Sequence, residues 1–173
     1  AGLTRTPSVS GNRKTWTASV WVKRGKIGGN QKIITWSDNS SSDNVNLSIQ
    51  DSNTSNDSTL YAQVVSGSSC TICYESKMKL RDPSAWYHIV WSQTTESGVS
   101  ADRNPKIWVN GVAIDAWNES ANTSSENQEF RANQSGYQCQ IGRRQLSGNT
   151  NDFDGYLAEF YWIDGTAYDA DDF

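Results

Sequence analysis

The chain has 173 residues and a formal net charge of −4, which suits one domain and opposes general nucleic-acid binding, where clustered Lys and Arg must meet phosphates. Hydrophobic residues are only 35%, the deficit being filled by Ser, Asn, Thr and Gly, yet 8 Trp, 7 Tyr and 4 Phe argue against a disordered chain. No apolar run approaches the ~18 residues of a membrane-spanning helix, so membrane insertion is not expected.

In chain order, short alternating or β-branched stretches are separated by Gly, Asn, Asp and Ser clusters. Thr15 to Lys23 reads as a strand with Trp16, Ala18, Val20 and Val22 on one face and Trp21 on the other. Lys32 to Trp36, Asn46 to Gln50, Thr59 to Val65 and Thr71 to Met78 read as the next four. Trp86 to Gln93 is the clearest strand of the set. Lys106 to Val109 and Val112 to Ile114 flank Asn110-Gly111, a strong hairpin signal because a type I′ turn needs positive φ at both central residues. Gln138 to Gly142 and Gly155 to Ile163 complete the strands. The stretches Asp38 to Asn44, Asp51 to Ser58 and Asn118 to Gln128 read as rim loops. No window keeps a 3.6-residue apolar period, so the pattern predicts an all-β sandwich or barrel, as one domain over residues 1–173. The chain opens at Ala1 without methionine and closes on Asp171, Asp172 and Phe173, which suggests a processed product or a domain of a longer polypeptide.

Three cysteines leave at least one thiol unpaired within the chain. Cys70 and Cys73 form a lone CxxC, read as two thiols or a local disulfide; with His88 as the single histidine, a zinc site is not expected. The cluster Arg13, Lys14, Lys23, Arg24 and Lys26 reads as a solvated strand face. Asn-x-Ser/Thr sequons stand at Asn39, Asn46, Asn53, Asn56, Asn118, Asn122 and Asn133, several of them expected by chance in so Ser- and Asn-rich a chain.

Four motifs in order resemble the laminin-G-like branch of the concanavalin A-like lectin/glucanase superfamily. They are Trp16-Thr-Ala-Ser-Val-Trp21-Val-Lys23, Trp86-Tyr87-His88-Ile89-Val90-Trp91, Lys106-Ile-Trp-Val-Asn110-Gly111-Val112, and Ile141-Gly142-Arg143 followed by Phe153-Asp154-Gly155-Tyr156-Leu157-Ala158-Glu159-Phe160. The resemblance implies a two-sheet antiparallel jelly-roll sandwich of the concanavalin A type. The wording of residues 11–17 and 160–167 is similar to domains of tailed-bacteriophage virion proteins. That likeness implies an extracellular setting on a virion surface: a tail fibre, a tailspike or a capsid decoration.

Glycosidases of this superfamily need two carboxylates facing a cleft, and the usual Glu-x-Asp-x-x-Glu run is missing, so no catalytic residues are expected. Glu159 reads as a structural glutamate and His88 as a strand histidine in or beside the core. The resemblance makes calcium a candidate cofactor, with Asp38, Asp43 and Asn44 in one loop and Asp152 and Asp154 in another as oxygen ligands. Ala158 before Glu159 removes one oxygen that the family pattern supplies. Carbohydrate binding is the leading expectation, through Trp36, Tyr61, Tyr74, Trp117, Asn118 and Tyr137 near loops and strand ends. Trp16, Trp21, Trp86, Trp91, Trp108 and Trp162 read as packing residues. Trp21, Tyr87 and Trp91 are expected on a sheet face opposite the core, as an interface. The expected partners are therefore a host-surface glycan or other virion proteins, with a homo-oligomer, a trimer above all, as the assembly. The alternative is a decoration or oligomerisation domain that binds no ligand.

Overall fold

The computed structural model describes residues 2–38, 42–51, 58–121, 123–146 and 149–173. The strands are β1 (Leu3–Arg5), β2 (Thr15–Arg24), β3 (Gln31–Ser37), β4 (Asn44–Gln50), β5 (Thr59–Ser66), β6 (Ser69–Lys79), β7 (Tyr87–Thr94), β8 (Lys106–Val109), β9 (Val112–Ala113), β10 (Trp117–Ala121), β11 (Gln138–Ile141), β12 (Arg143–Leu146), β13 (Asn149–Asp152) and β14 (Gly155–Asp164). All pairings are antiparallel. One sheet runs β1-β11-β3-β4-β5-β6-β10, the other β14-β2-β7-β8-β9, and β12-β13 form a separate hairpin. The two larger sheets make a jelly-roll sandwich.

Period-two alternation builds the core. Trp16, Ala18, Val20 and Val22 of β2 and Ile89 and Trp91 of β7 meet Ile34, Trp36, Val45, Leu47, Ala62, Val64 and Ile72 of the larger sheet. Each buried Val, Leu or Ile among them contributes about 1.5–3 kcal/mol relative to exposure. The Trp16 ring meets Trp91 edge-on at 4.6 Å and stacks on Trp162 at 4.8 Å. Asn110 and Gly111 take φ of 51° and 78°, both positive as the hairpin turn demands.

Three expectations change. Trp91 is buried and Tyr87 packs against the core, so only Trp21 of the proposed interface trio faces outward. Register explains it: Trp21 pairs with His88, whereas Tyr87 and Trp91 pair with the inward Val22 and Ala18. Arg24 is no part of a solvated face. It is fully buried, paired with Asp51, and donates to the Ser58 hydroxyl at 2.9 Å and the Leu80 carbonyl at 2.8 Å. Residues 118–121, read as the start of a loop, instead belong to β10 and pair with β6 at the edge of the larger sheet.

The outer face of the larger sheet is polar yet buried. Lys32 donates to Asn46 Oδ1 at 2.9 Å and Ser48 Oγ at 3.3 Å. Asn46 Nδ2 donates to Asn44 Oδ1 and Gln63 Oε1. The β12-β13 hairpin packs beside β3, and the Gln145 N–H donates to Gln140 Oε1.

Candidate functional site: an aromatic groove on the five-stranded sheet

The loop and strand-end residues expected to bind sugar are largely withdrawn from solvent. Trp36 and Tyr74 lie in the core. Tyr61 is buried on the outer face of β5, and its hydroxyl donates to Cys73 Sγ at 3.0 Å. Burial, reinforced by Glu119 and Glu75, pushes that phenol up to about 12. Trp117 is half-buried, edge-on to Tyr74 at 5.0 Å. Tyr137 is half-buried with Arg131 over its ring at 5.4 Å. Asn118 is exposed but donates to the Ser76 carbonyl at 3.0 Å. These residues do not form one ring-lined surface. Core demand for large apolar side chains outweighs their position near strand ends.

The oxygen ligands expected for calcium do not fit it. Asp43 faces Arg131 at 3.4 Å, Asp152 faces Arg143 at 3.7 Å and Asp154 faces Lys26 at 3.6 Å. Asn44 is buried in the polar network of β4, and Asp38 hydrogen-bonds Tyr137. Among the described residues no three His, Cys, Asp or Glu side chains converge as a metal would require. Cys70 and Cys73 are joined as a disulfide, and Cys139 is a buried free thiol. Of the sequons, Asn46 and Asn133 are buried; Asn39, Asn53, Asn56 and Asn122 lie outside the described residues.

Exposed aromatics gather instead on the outer face of the five-stranded sheet. Trp21 is 36% exposed, Trp86 40%, Tyr161 52% and Phe173 43%. A bulge in β14 creates this arrangement. Ala158 pairs with Trp21, but Tyr161 pairs with Ser19, so the register shifts between them. The shift turns Ala158 and Tyr161 outward while Trp162 still reaches the core beside Trp16. Glu159 sits in the bulge with φ of 47°, a left-handed conformation that a non-glycine residue adopts only at a cost.

The C-terminal segment then crosses this face. Thr17 Oγ1 donates to the Thr166 carbonyl at 2.8 Å and accepts from the Tyr168 N–H at 2.9 Å. A capping box between Asp169 and Asp172 holds its last turn. The result is a groove of about 460 Å³ lined by Ser19, Trp21, His88, Glu159, Tyr161, Asp172 and Phe173. Its volume falls in the range of small-molecule sites. At its floor His88 shares a hydrogen bond with the Ser19 hydroxyl at 2.8 Å and carries the Trp21 ring in a stack at 4.8 Å. Burial holds His88 below its ordinary value, with Glu159 opposing. Glu159 accepts no hydrogen bond from the described residues.

Trp86, Tyr161 and Phe173 were missed as site residues. The sequence holds one signal: Phe160, Tyr161 and Trp162 are consecutive, and three adjacent aromatics cannot share one face of a regular strand.

Comparison with known proteins agrees with this architecture. The family profile described as the concanavalin A-like lectin/glucanases superfamily, in its laminin-G form, matches residues 2–171. No curated protein sequence matches the chain. Among solved structures, domain 4 of the arabinanase AbnA from Geobacillus stearothermophilus, solved with arabinotriose, is similar at 15% identity and a TM-score of 0.65, over 96% of this chain and 68% of that one. The CBM40 module of the Ruminococcus gnavus IT-sialidase, bound to α2,3-sialyllactose, is similar at 11% identity and a TM-score of 0.67, over 98% and 95%. A pentraxin of Limulus polyphemus is similar at 13% identity and a TM-score of 0.59, over 92% and 68%. The profile match over almost the full length places the chain in the concanavalin A-like lectin/glucanases superfamily, as a laminin-G-type domain.

Proposed function

We propose that this domain is a non-catalytic carbohydrate-binding module whose binding face is the aromatic groove on the five-stranded sheet. The observation that carries the proposal is the clustering of exposed Trp21, Trp86, Tyr161 and Phe173 around Glu159 and Asp172. Aromatic rings offer flat apolar faces to the C–H faces of a sugar, and carboxylates accept from its hydroxyls, which is the usual division of labour in a ligand site. Modules of the same fold bound to arabinotriose and sialyllactose support the reading. The proposed setting is extracellular, on a phage virion as part of a tail fibre, tailspike or capsid; its support is the likeness of residues 11–17 and 160–167 to virion domains. Glycan-array screening followed by titration calorimetry tests the binding. Binding that weakens at least tenfold in Trp21→Ala is expected, and no signal on any glycan, with the domain monomeric or assembled, would sink the proposal.

A second reading keeps a place because the same rings form an apolar strip, a common mark of protein interfaces. In that case the domain decorates or oligomerises a virion, a trimer being the expected form. Light scattering separates the two: a stable trimer that Trp21→Ala dissociates favours the interface.

A further inference from the structure

The groove does not stand alone. On one side an apolar depression of about 360 Å³ is lined by Trp21, Trp86, Ala158 and Glu159. On the other a polar depression of about 240 Å³ includes Asp102, Lys106, Trp108, Tyr168, Asp169 and Asp172. The first shares Trp21 and Glu159 with the groove, and the second shares Asp172. Three adjoining depressions thus form a track across the outer face of the sheet, with aromatic rings in each.

The charge along this track is one-sided. Glu159, Asp172, Asp169 and Asp102 face it, against Lys106 as the one Lys or Arg in the lining. Lys106 already faces Asp102 at 3.8 Å. Burial at the floor of the groove disfavours a charged His88. A sugar bearing a carboxylate would meet repulsion here, and a neutral sugar would leave the carboxylates with hydroxyl donors only. A protonated amine satisfies both features, because it pairs with a carboxylate and is attracted to the face of an aromatic ring.

We infer that the track binds a chain of basic amino sugars, several units long, with its rings on the aromatic residues and its ammonium groups on Glu159, Asp172 and Asp169. This rests on the carbohydrate-binding reading of the same groove and names the sugar class. A basic peptide carries the same charge, but its flexible side chains offer no flat apolar face to Trp21 and Tyr161.

The test is calorimetric titration with a β-1,4-linked glucosamine tetramer, its fully N-acetylated counterpart, sialyllactose and tetralysine, at about pH 5.5, where amines are protonated and glutamates ionised. The amino-sugar chain should bind roughly tenfold tighter than the acetylated one, and the ratio should fall as salt screens the charges. Sialyllactose should bind most weakly of the sugars. Glu159→Gln should bring the ratio of the first two ligands toward one, and Asp102→Asn, at the other end of the track, should lower it by a smaller factor. Equal affinity for both tetramers, or tighter sialyllactose binding, overturns this inference and leaves the carbohydrate reading standing. Tetralysine binding as tight as the amino sugar overturns the sugar assignment in favour of a basic peptide. Binding of none of the four overturns the inference, while the glycan array separately decides whether any sugar is held.

Discussion

The indole of Trp21 lies over the imidazole of His88, with ring centroids 4.8 Å apart and planes 18° from parallel. The imidazole is fixed beneath it by the Ser19 hydroxyl, and Phe173 meets its ring at 6.1 Å from the C-terminal segment. An exposed tryptophan is therefore held in one orientation by a buried partner, which lowers the entropy lost when a ligand stacks on it. His88→Ala should weaken sugar binding by removing the ring that supports Trp21, and should cost about 1–2 kcal/mol of stability by leaving the buried Ser19 hydroxyl unpaired. Urea unfolding and calorimetry on the same variant check both. Because the native fold disfavours the imidazolium, the unfolded chain takes up the proton first. Stability should therefore fall as pH drops below the ordinary histidine value of 6.5, and His88→Ala should lack that part of the loss.

Glu159 combines backbone strain with a position in the groove. Glu159→Gly should relieve about 1–2 kcal/mol of left-handed strain against about 0.4–1 kcal/mol of added unfolded-chain entropy. The expected outcome is a variant slightly more stable than the parent in urea unfolding and weaker in sugar binding. A destabilised Glu159→Gly would show that the carboxylate has a structural role in the fold.

Asp51 shows the cost of a buried charge. Burial alone would raise its carboxyl, but the Ser58 hydroxyl, the Gly28 N–H and the Arg24 guanidinium outweigh that and hold it below its ordinary value. Asp51→Asn strands the Arg24 guanidinium inside the protein and should cost about 3–5 kcal/mol. In the parent chain this stabilisation is complete above the unfolded carboxylate value and is lost as pH falls through the lower folded one. Acid unfolding of parent and variant should converge at low pH.

Lys32 works in the opposite sense. Burial, with Arg144 adding to it, lowers its amine from 10.5 to about 8. The folded state thus carries a penalty for the charged form, on the order of 3 kcal/mol, at any pH below about 8. Stability should rise as pH climbs from about 8 towards 10.5. Chemical unfolding across that window should show the rise in the parent chain and not in Lys32→Met.

Most of the strands and the all-β class were legible in local pattern, the sandwich was implied by the family resemblance, and β1, β10, β12 and β13 were not read at all. Alternation in Thr15 to Lys23 marks Trp16, Ala18, Val20 and Val22 as one buried face, and Asn110-Gly111 marks the β8-β9 hairpin, because both signals are local: side-chain parity and positive φ. Four ordered motifs carried the family. Local pattern could not say which parity of an all-apolar run faces the core. In Trp86 to Trp91 that was decided by pairing of Trp21 with His88, across residues far apart in the chain. Nor could it place the β14 bulge, which turns Tyr161 outward and keeps Trp162 inside, or reveal that Trp36 and Tyr74 are taken up by the core. The groove exists only where the bulge, the β2 face and the crossing C-terminal segment meet. Its position was decided by tertiary structure, because burial is settled by the whole competition for apolar contacts and not by any one strand.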